Sequence, residues 1–254
     1  MVHLGKAAIV RSILQAERKS KLFSNMAEST PFDMANVADS WFVLFMRALS
    51  SGLRIDNVRA LAHNVSFVVF NYDRCLEQFL FKAIQQLYAI SAQEADRILD
   101  TFSIHHPYGV VAPLRTTVDL NGRIPFGGLA ESGDKYLLLA QSIKTFTEQL
   151  SDPESERRIK QAMEEAECIV FLGFGFHPAN LTLLNPERTM AQRPVFATAY
   201  GMSESDVNSV FNAVDSMYEK IPRIGSLQNP FIVIDNTAKC LDLFQNYSRA
   251  IRGI

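Results

Sequence analysis

The sequence predicts an α/β fold, a parallel β-sheet covered by helices on both faces. Three observations carry this. Four short apolar runs, at 65–70, 168–172, 195–199 and 231–235, are continuous rather than alternating, as expected of strands buried on both faces. Segments with apolar residues at helical spacing lie between them. Strands that alternate with helices form parallel sheets, because a parallel connection needs a crossover long enough to hold a helix.

Taken in order, residues 6–23 read as an amphipathic helix, with Ile9, Ile13 and Leu14 on one side and Arg11, Arg18 and Lys19 elsewhere. Residues 24–40 are polar and contain Pro31, which marks a loop. A second helix is expected over 41–50. The first strand, 65–70, ends in Asn71-Tyr72-Asp73. A helix over 74–90 follows, with Leu76, Phe79, Leu80, Ala83, Ile84 and Leu87 at helical spacing. Ser91 and Glu94 have the form of a capping box and open a helix to about Phe102. The segment His105-His106-Pro107-Tyr108-Gly109 comes next, then Gly- and Pro-rich loops over 110–135 and helices over 137–149 and 154–166. The remaining strands, 168–172, 195–199 and 231–235, are followed by the turn at Gly173, a helix opened by Ser203 and Asp206 and running to about Glu219, and a closing helix over 237–251. The chain reads as a single domain over 1–254, with 1–62 mainly helical and 63–254 the sheet core.

Composition narrows the function. The 254 residues are 48% hydrophobic and 20% charged, with 25 Lys+Arg against 27 Asp+Glu and a net charge of -2. A general nucleic-acid binder needs a basic face, which this balance does not supply. The apolar content is also too high for a disordered chain. Three cysteines make neither a disulfide framework nor a four-cysteine zinc site, and no metal-ligand set appears. A reducing, cytoplasmic compartment fits that usage. The N-terminus lacks the pattern of a signal peptide, and the most apolar run, 41–46, is too short to span a bilayer.

In open parallel sheets, ligands sit beyond the carboxyl ends of the strands. Asn71 and Asp73 occupy one such end. An amide and a carboxylate there can hold a water, a hydroxyl or an amide group; alternatively, Asp73 caps the helix beginning at 74. His105 and His106 point to opposite strand faces, so one of them at most addresses a site as general base; ordinary polar or core histidines are the alternative. Tyr108 and Gly109 imply a turn with close backbone approach. After the strand at 168–172 comes Gly173-Phe174-Gly175-Phe176-His177-Pro178-Ala179-Asn180. Glycines between a buried strand and a short helix suit a nucleotide lying against the backbone, and suit a plain tight turn equally well. His177 reads as a surface residue at the start of the helix.

The order of these strand ends is more telling than any one of them. Phe70-Asn71-Tyr72-Asp73-Arg74-Cys75-Leu76-Glu77, then His106-Pro107-Tyr108-Gly109, then Phe171-Leu172-Gly173-Phe174-Gly175-Phe176 with Asn180 resembles the bacterial sirtuin-like family. The resemblance extends from about Gly5 to the C-terminus and includes Thr198-Ala199-Tyr200-Gly201. It implies a three-layer Rossmann-like sheet and NAD chemistry at the nicotinamide–ribose bond, with anti-phage defence as a setting. By the same resemblance Asn71 orients the ribose or attacking water, and Asp73 holds the nicotinamide carboxamide. His106 is the candidate base on a ribose hydroxyl. Tyr108, Gly109, Gly173, Phe174, Gly175 and Asn180 line the ligand.

Three departures qualify it. Catalytic sirtuins place His directly before Gly, where this chain has Tyr108. If the segment stays extended, His106 is displaced by about 6–7 Å. The four-cysteine zinc module is absent from 110–167, which argues against a protein deacylase. The Gly-rich first strand and phosphate loop do not precede the first helix, so the sheet lacks a central strand and the pyrophosphate its backbone cradle. The element then lies outside this sequence, comes from another chain, or has been lost together with NAD binding. Two readings follow: an NAD hydrolase, or a degenerate module that senses a nucleotide or ADP-ribose-like molecule or assembles with partners. An uncovered sheet edge would favour self-association.

Overall fold

The computed structural model describes residues 2–23, 32–112, 114, 124–145, 148, 152–219 and 229–253. The protein is a mixed α/β chain with two small parallel sheets and ten α-helices among these residues. It divides into two compact units, one made of 1–38 and 49–152, the other of 39–48 and 153–254.

In the first unit, helix α1 (Val2–Lys19) buries Lys6, Val10, Leu14 and Glu17, a stripe along one face. Leu14 is buried as expected and Ile13 packs partly against the core, but Ile9 is exposed and Val10 takes its place. Val10 and Leu14 pack with Val111, Ala112, Ile124, Leu139 and Ile143. Both ends of the stripe are charged and paired, Lys6 with Glu148 at 3.0 Å and Glu17 with Arg74 at 2.5 Å. Two short helices, a 3-10 turn (Ile55–Asn57) and α3 (Ala60–His63), lead into strand β1 (Ser66–Val68).

Strand β1 pairs in parallel with β2 (Ser103–His105), Ser66 opposite Ser103 and Val68 opposite His105. Both strands are only half-buried, and Ser66 is exposed. This corrects the expectation of a strand covered on both faces. Between them run α4 (Cys75–Tyr88) and α5 (Ala92–Leu99), which pack together. Leu76, Phe79, Leu80, Ala83 and Ile84 of α4 are buried as their spacing predicts, but Leu87 is 42% exposed. The helix ends one residue beyond Tyr88, where Ala89 turns left-handed at φ 50°. Ser91 Oγ accepts from the Glu94 backbone N–H at 3.2 Å, while the Glu94 carboxylate turns outward to Arg59 and Arg97. The helix expected over 137–149 starts earlier, as α6 (Gly133–Leu139) capped by Ser132, and tightens into a 3-10 turn (Ala140–Ser142). Pro31 and most of the Gly- and Pro-rich stretch at 113–123 lie outside the described residues.

In the second unit, the sheet has the order β3 (Ile169–Phe171), β4 (Val195–Thr198), β5 (Ile232–Asp235), all parallel. Every residue of the central strand β4 is buried, as its continuous apolar run predicts. Helices α8 (Pro178–Leu184) and α9 (Glu204–Asp215) make the crossovers, while α7 (Pro153–Glu165) precedes β3 and α10 (Cys240–Ile251) follows β5. Ser203 caps α9, accepting from the Asp206 N–H at 3.2 Å. Helix α10 starts three residues later than expected, because Asp235 Oδ1 takes the N–H groups of Thr237 and Ala238 into a turn of its own. Helix α2 (Trp41–Leu49) also belongs here. Trp41 stacks on Phe244 of α10, ring centroids 5.8 Å apart and planes at 10°.

The expected parallel pairing is thus found in each unit, as a two-stranded sheet in the first and a three-stranded sheet in the second.

Candidate functional site

The turn after β1 is held from several directions. The Tyr72 carbonyl accepts from Val111 N–H at 3.0 Å, and the Tyr72 hydroxyl donates to the Lys144 carbonyl at 2.5 Å. Burial raises the phenol's pKa above its ordinary value, with Tyr108 and Glu148 adding to the effect. Asp73 Oδ1 accepts from Cys75 N–H at 3.0 Å and so closes the first turn of α4. That is the helix-start role the sequence offers as the alternative to ligand binding. Burial also pushes the Cys75 thiol pKa far up, and the neighbouring Asp73 carboxylate pushes it further, so this cysteine stays protonated. Asn71, by contrast, is exposed at the tip.

Arg74 is the residue that sequence reading missed. It is fully buried against Glu17. Its backbone N–H and Nε–H both donate to Glu17 Oε1 at 3.0 Å, and Nη2 donates to Oε2 at 2.5 Å. Its guanidinium also reaches the carbonyls of Ile124 at 2.6 Å and Pro125 at 3.3 Å. Gly127 N–H completes the cluster by donating to Glu17 Oε2 at 3.2 Å. The forked donor geometry of arginine matches a carboxylate in this way. One signal was available beforehand: Glu17 lies three residues after Leu14, on the stripe that α1 buries.

The second strand end does not stay extended. Gly109 N–H donates to the His106 carbonyl at 2.9 Å, which makes 106–109 a turn. The displacement worked out for an extended His106 therefore does not apply. His105 Nε2 lies 2.9 Å from Ser103 Oγ on the same strand. His106 instead meets α4, its Nε2 lying 2.7 Å from Glu77 Oε1, with the two side chains only 13% and 16% exposed. His106 Nδ1 and Glu77 Oε2 are buried without a hydrogen-bond partner. Tyr108 packs its ring 6.1 Å from that of Phe70 and accepts at its carbonyl from Lys144 N–H at 2.8 Å. The predicted close approach at Gly109 is real, and its partner is the chain's own backbone. A Cβ there would sit 2.0 Å from the Ser142 carbonyl oxygen, and φ is +79°. Only glycine fits such a position.

At the end of β3, Gly173 turns at φ +58° and its N–H donates to Thr198 Oγ1 at 2.8 Å. Phe171, Phe174 and Phe176 form a triangle of rings 5.0–5.4 Å apart. Phe176 is buried and left-handed at φ 51°, an uncommon conformation for a large side chain. Gly175 is exposed, and a Cβ there would meet nothing within 4 Å. His177 is exposed and caps α8 through Nδ1, which accepts from Ala179 N–H at 3.3 Å. Asn180 lies in the first turn of that helix, its N–H bonded to the His177 carbonyl at 2.9 Å.

Beside this end, Tyr200 follows β4 and is 62% exposed, with the Lys239 ammonium 4.9 Å from its ring centroid. Asp235 closes β5. Burial would raise its pKa, but the donors Thr237, Ala238 and Tyr247 outweigh this and hold the carboxyl below its ordinary value.

Within the first unit, then, the structure brings Asn71, Asp73, His106, Tyr108 and Gly109 to the carboxyl ends of two paired strands. Within the second it places Gly173, Phe174, Gly175 and Asn180 past the carboxyl end of a third. No group of three or more His, Cys, Asp or Glu that could hold a metal ion occurs among the described residues, and no helix among them is long and apolar enough to cross a membrane. The chain matches no family model, no curated protein and no solved structure.

Proposed function

We propose that the protein is a sirtuin-like, three-layer Rossmann-like NAD-binding protein that hydrolyses NAD at the nicotinamide–ribose bond. The observation that carries this reading is positional. Each of the three motifs that resemble the bacterial sirtuin-like family begins where a parallel strand ends, and α/β sheets bind their ligands there. In this reading Asn71, exposed on a turn fixed by its neighbours, orients the ribose or the attacking water. His106 takes a proton from a ribose hydroxyl. The C1′–N bond pair leaves with nicotinamide, water adds to C1′ and returns one proton to the ribose oxygen, and the imidazolium gives its proton to solvent. The glycines at 173 and 175 leave backbone open to an adenosine ribose. Such a protein acts in the cytoplasm, with anti-phage defence as a setting, and needs no metal for this step.

A second reading, a nucleotide-sensing or interaction module without turnover, draws on Asp73, whose carboxylate is already engaged by the Cys75 N–H. Incubating the purified chain and Asn71→Ala with NAD, and following nicotinamide and ADP-ribose, decides between them. Cleavage by the wild type that falls at least ~100-fold in Asn71→Ala, a general-base-sized loss, supports hydrolysis. Binding of NAD or ADP-ribose in a calorimeter without cleavage supports the module. Cleavage unchanged in Asn71→Ala refutes the assignment of that residue.

A further inference from the structure

Glu77 carries no role in the reading above, yet it is the only described side chain bonded to His106. We infer that Glu77 is the positioning residue for His106: it holds the ring proton on Nε2 and leaves Nδ1 as the atom that accepts a proton. This rests on the hydrolytic reading for its chemistry and on geometry for the pairing.

An imidazole has two distinct nitrogens, and the hydrogen bond made by one fixes which of them is protonated in the neutral ring. A carboxylate only accepts. The 2.7 Å contact of Nε2 with Glu77 Oε1 therefore requires the proton on Nε2. Nδ1 then carries the lone pair, and it is buried with no partner in the chain. Glu77 Oε2 is also buried and unpartnered. Leaving a buried polar atom in this state is costly, so in a native protein each one calls for a reason. A donor hydroxyl arriving with a substrate supplies one for Nδ1.

The chain geometry agrees with this role. Glu77 lies in the first turn of α4, directly after the Asn71–Asp73 turn, while His106 opens the turn after β2. One carboxylate thus connects two of the three motifs. A base held by a carboxylate that does not itself touch the substrate is the arrangement found in catalytic triads. During cleavage, Nδ1 takes the proton of a ribose hydroxyl. The C1′–N bond breaks with its electron pair on nicotinamide, water adds to C1′ and returns one proton to the ribose oxygen, and the imidazolium gives its proton to solvent.

The test reads the tautomer directly. Long-range 1H–15N spectra of the full chain, with His106 assigned by loss of its signals in His106→Gln, show which ring nitrogen bears the proton. The expected result is a protonated Nε2 and a bare Nδ1 in the wild type and in Glu77→Gln, whose amide oxygen still accepts. In Glu77→Ala the proton should distribute over both nitrogens. In parallel, kcat for NAD cleavage should fall by about 10²-fold or more in Glu77→Ala, at an unchanged KM, and recover largely in Glu77→Gln. A wild-type proton on Nδ1, or a tautomer unmoved by Glu77→Ala, overturns the inference whether or not NAD is cleaved. The expected tautomers in a chain that never cleaves NAD uphold the pairing and overturn the hydrolytic reading alone.

Discussion

Replacing Glu17 with alanine should cost the protein a large share of its stability. Glu17 and Arg74 are both essentially sealed from solvent. The Glu17 carboxylate accepts four hydrogen bonds, two on each oxygen: Arg74 N–H and Nε–H on one, Arg74 Nη2 and Gly127 N–H on the other. In Glu17→Ala the guanidinium keeps only the Ile124 and Pro125 carbonyls, and it remains a buried charge without a counter-ion. Breaking a buried pair in this way costs about 3–5 kcal/mol. For a chain of this size each kcal/mol moves the midpoint by roughly 2–4 °C, so a drop on the order of 10 °C is expected. The double variant Glu17→Leu, Arg74→Met removes both charges. It should recover part of the loss and no more, because the backbone N–H groups of residues 74 and 127 and the two carbonyls still lose their partners at about 1 kcal/mol or more each. Urea unfolding followed by far-UV circular dichroism measures all three proteins. A loss below about 1 kcal/mol in Glu17→Ala, or a double variant worse than the single one, would refute the reasoning.

Gly109→Ala must displace the Ser142 backbone and adopt a positive φ, and should lower stability by at least ~2 kcal/mol. Gly175→Ala meets open space and should stay within about 0.5 kcal/mol of the wild type, so weakened NAD binding by that variant would report a ligand contact rather than a damaged fold. Ala89→Gly relieves a left-handed alanine at the end of α4 and should stabilise the chain by about 0.5–1 kcal/mol in the same urea assay. Glu148 is held down to about 2 by the Thr145 N–H first, then by Lys6 and the Thr145 hydroxyl. Its carboxylate is favoured in the folded chain, so its contribution is present above the ordinary carboxylate range and fades as pH falls toward about 2. The stability gap between wild type and Glu148→Gln should close over that window, and a gap that widens on acidification would contradict it.

Local signals were read correctly wherever the deciding partner lies nearby in sequence. Ser91 and Ser203 cap their helices three residues ahead, and the apolar run of β4 marks a strand with a neighbour on each side. The same kind of run in β1 misled, because burial depends on what lies beside a strand, and β1 has one partner among the described residues. Leu87 has the spacing of a core residue but falls in the last turn of α4, past the packed surface. The ends of β1, β3, β4 and β5 were legible where their apolar runs stop. Their supports were not: Glu17 is 57 residues from Arg74, and Glu77 is 29 from His106. Nothing in a pattern of hydropathy reports a pairing at that range. The turn at Tyr108-Gly109 was legible from its glycine, but its backbone partner Ile143 was not, since a bridge between main chains leaves no side-chain pattern.

The assignment of α2 to the second unit has a consequence for how this chain can be handled and how it folds. The backbone passes between the units three times, at 38–39, 48–49 and 152–153. A cut before Pro153 would therefore release a C-terminal piece without Trp41, and with Phe244 stripped of the ring that stacks on it. Folding meets the same constraint in time. The second unit is complete only when an early segment returns to helix α10 some 200 residues later, and closing so long a loop costs entropy before the contact repays it. A ribosome has nearly finished the chain before that contact can form. The single tryptophan sits at the junction, so its fluorescence times the last closure rather than the first collapse.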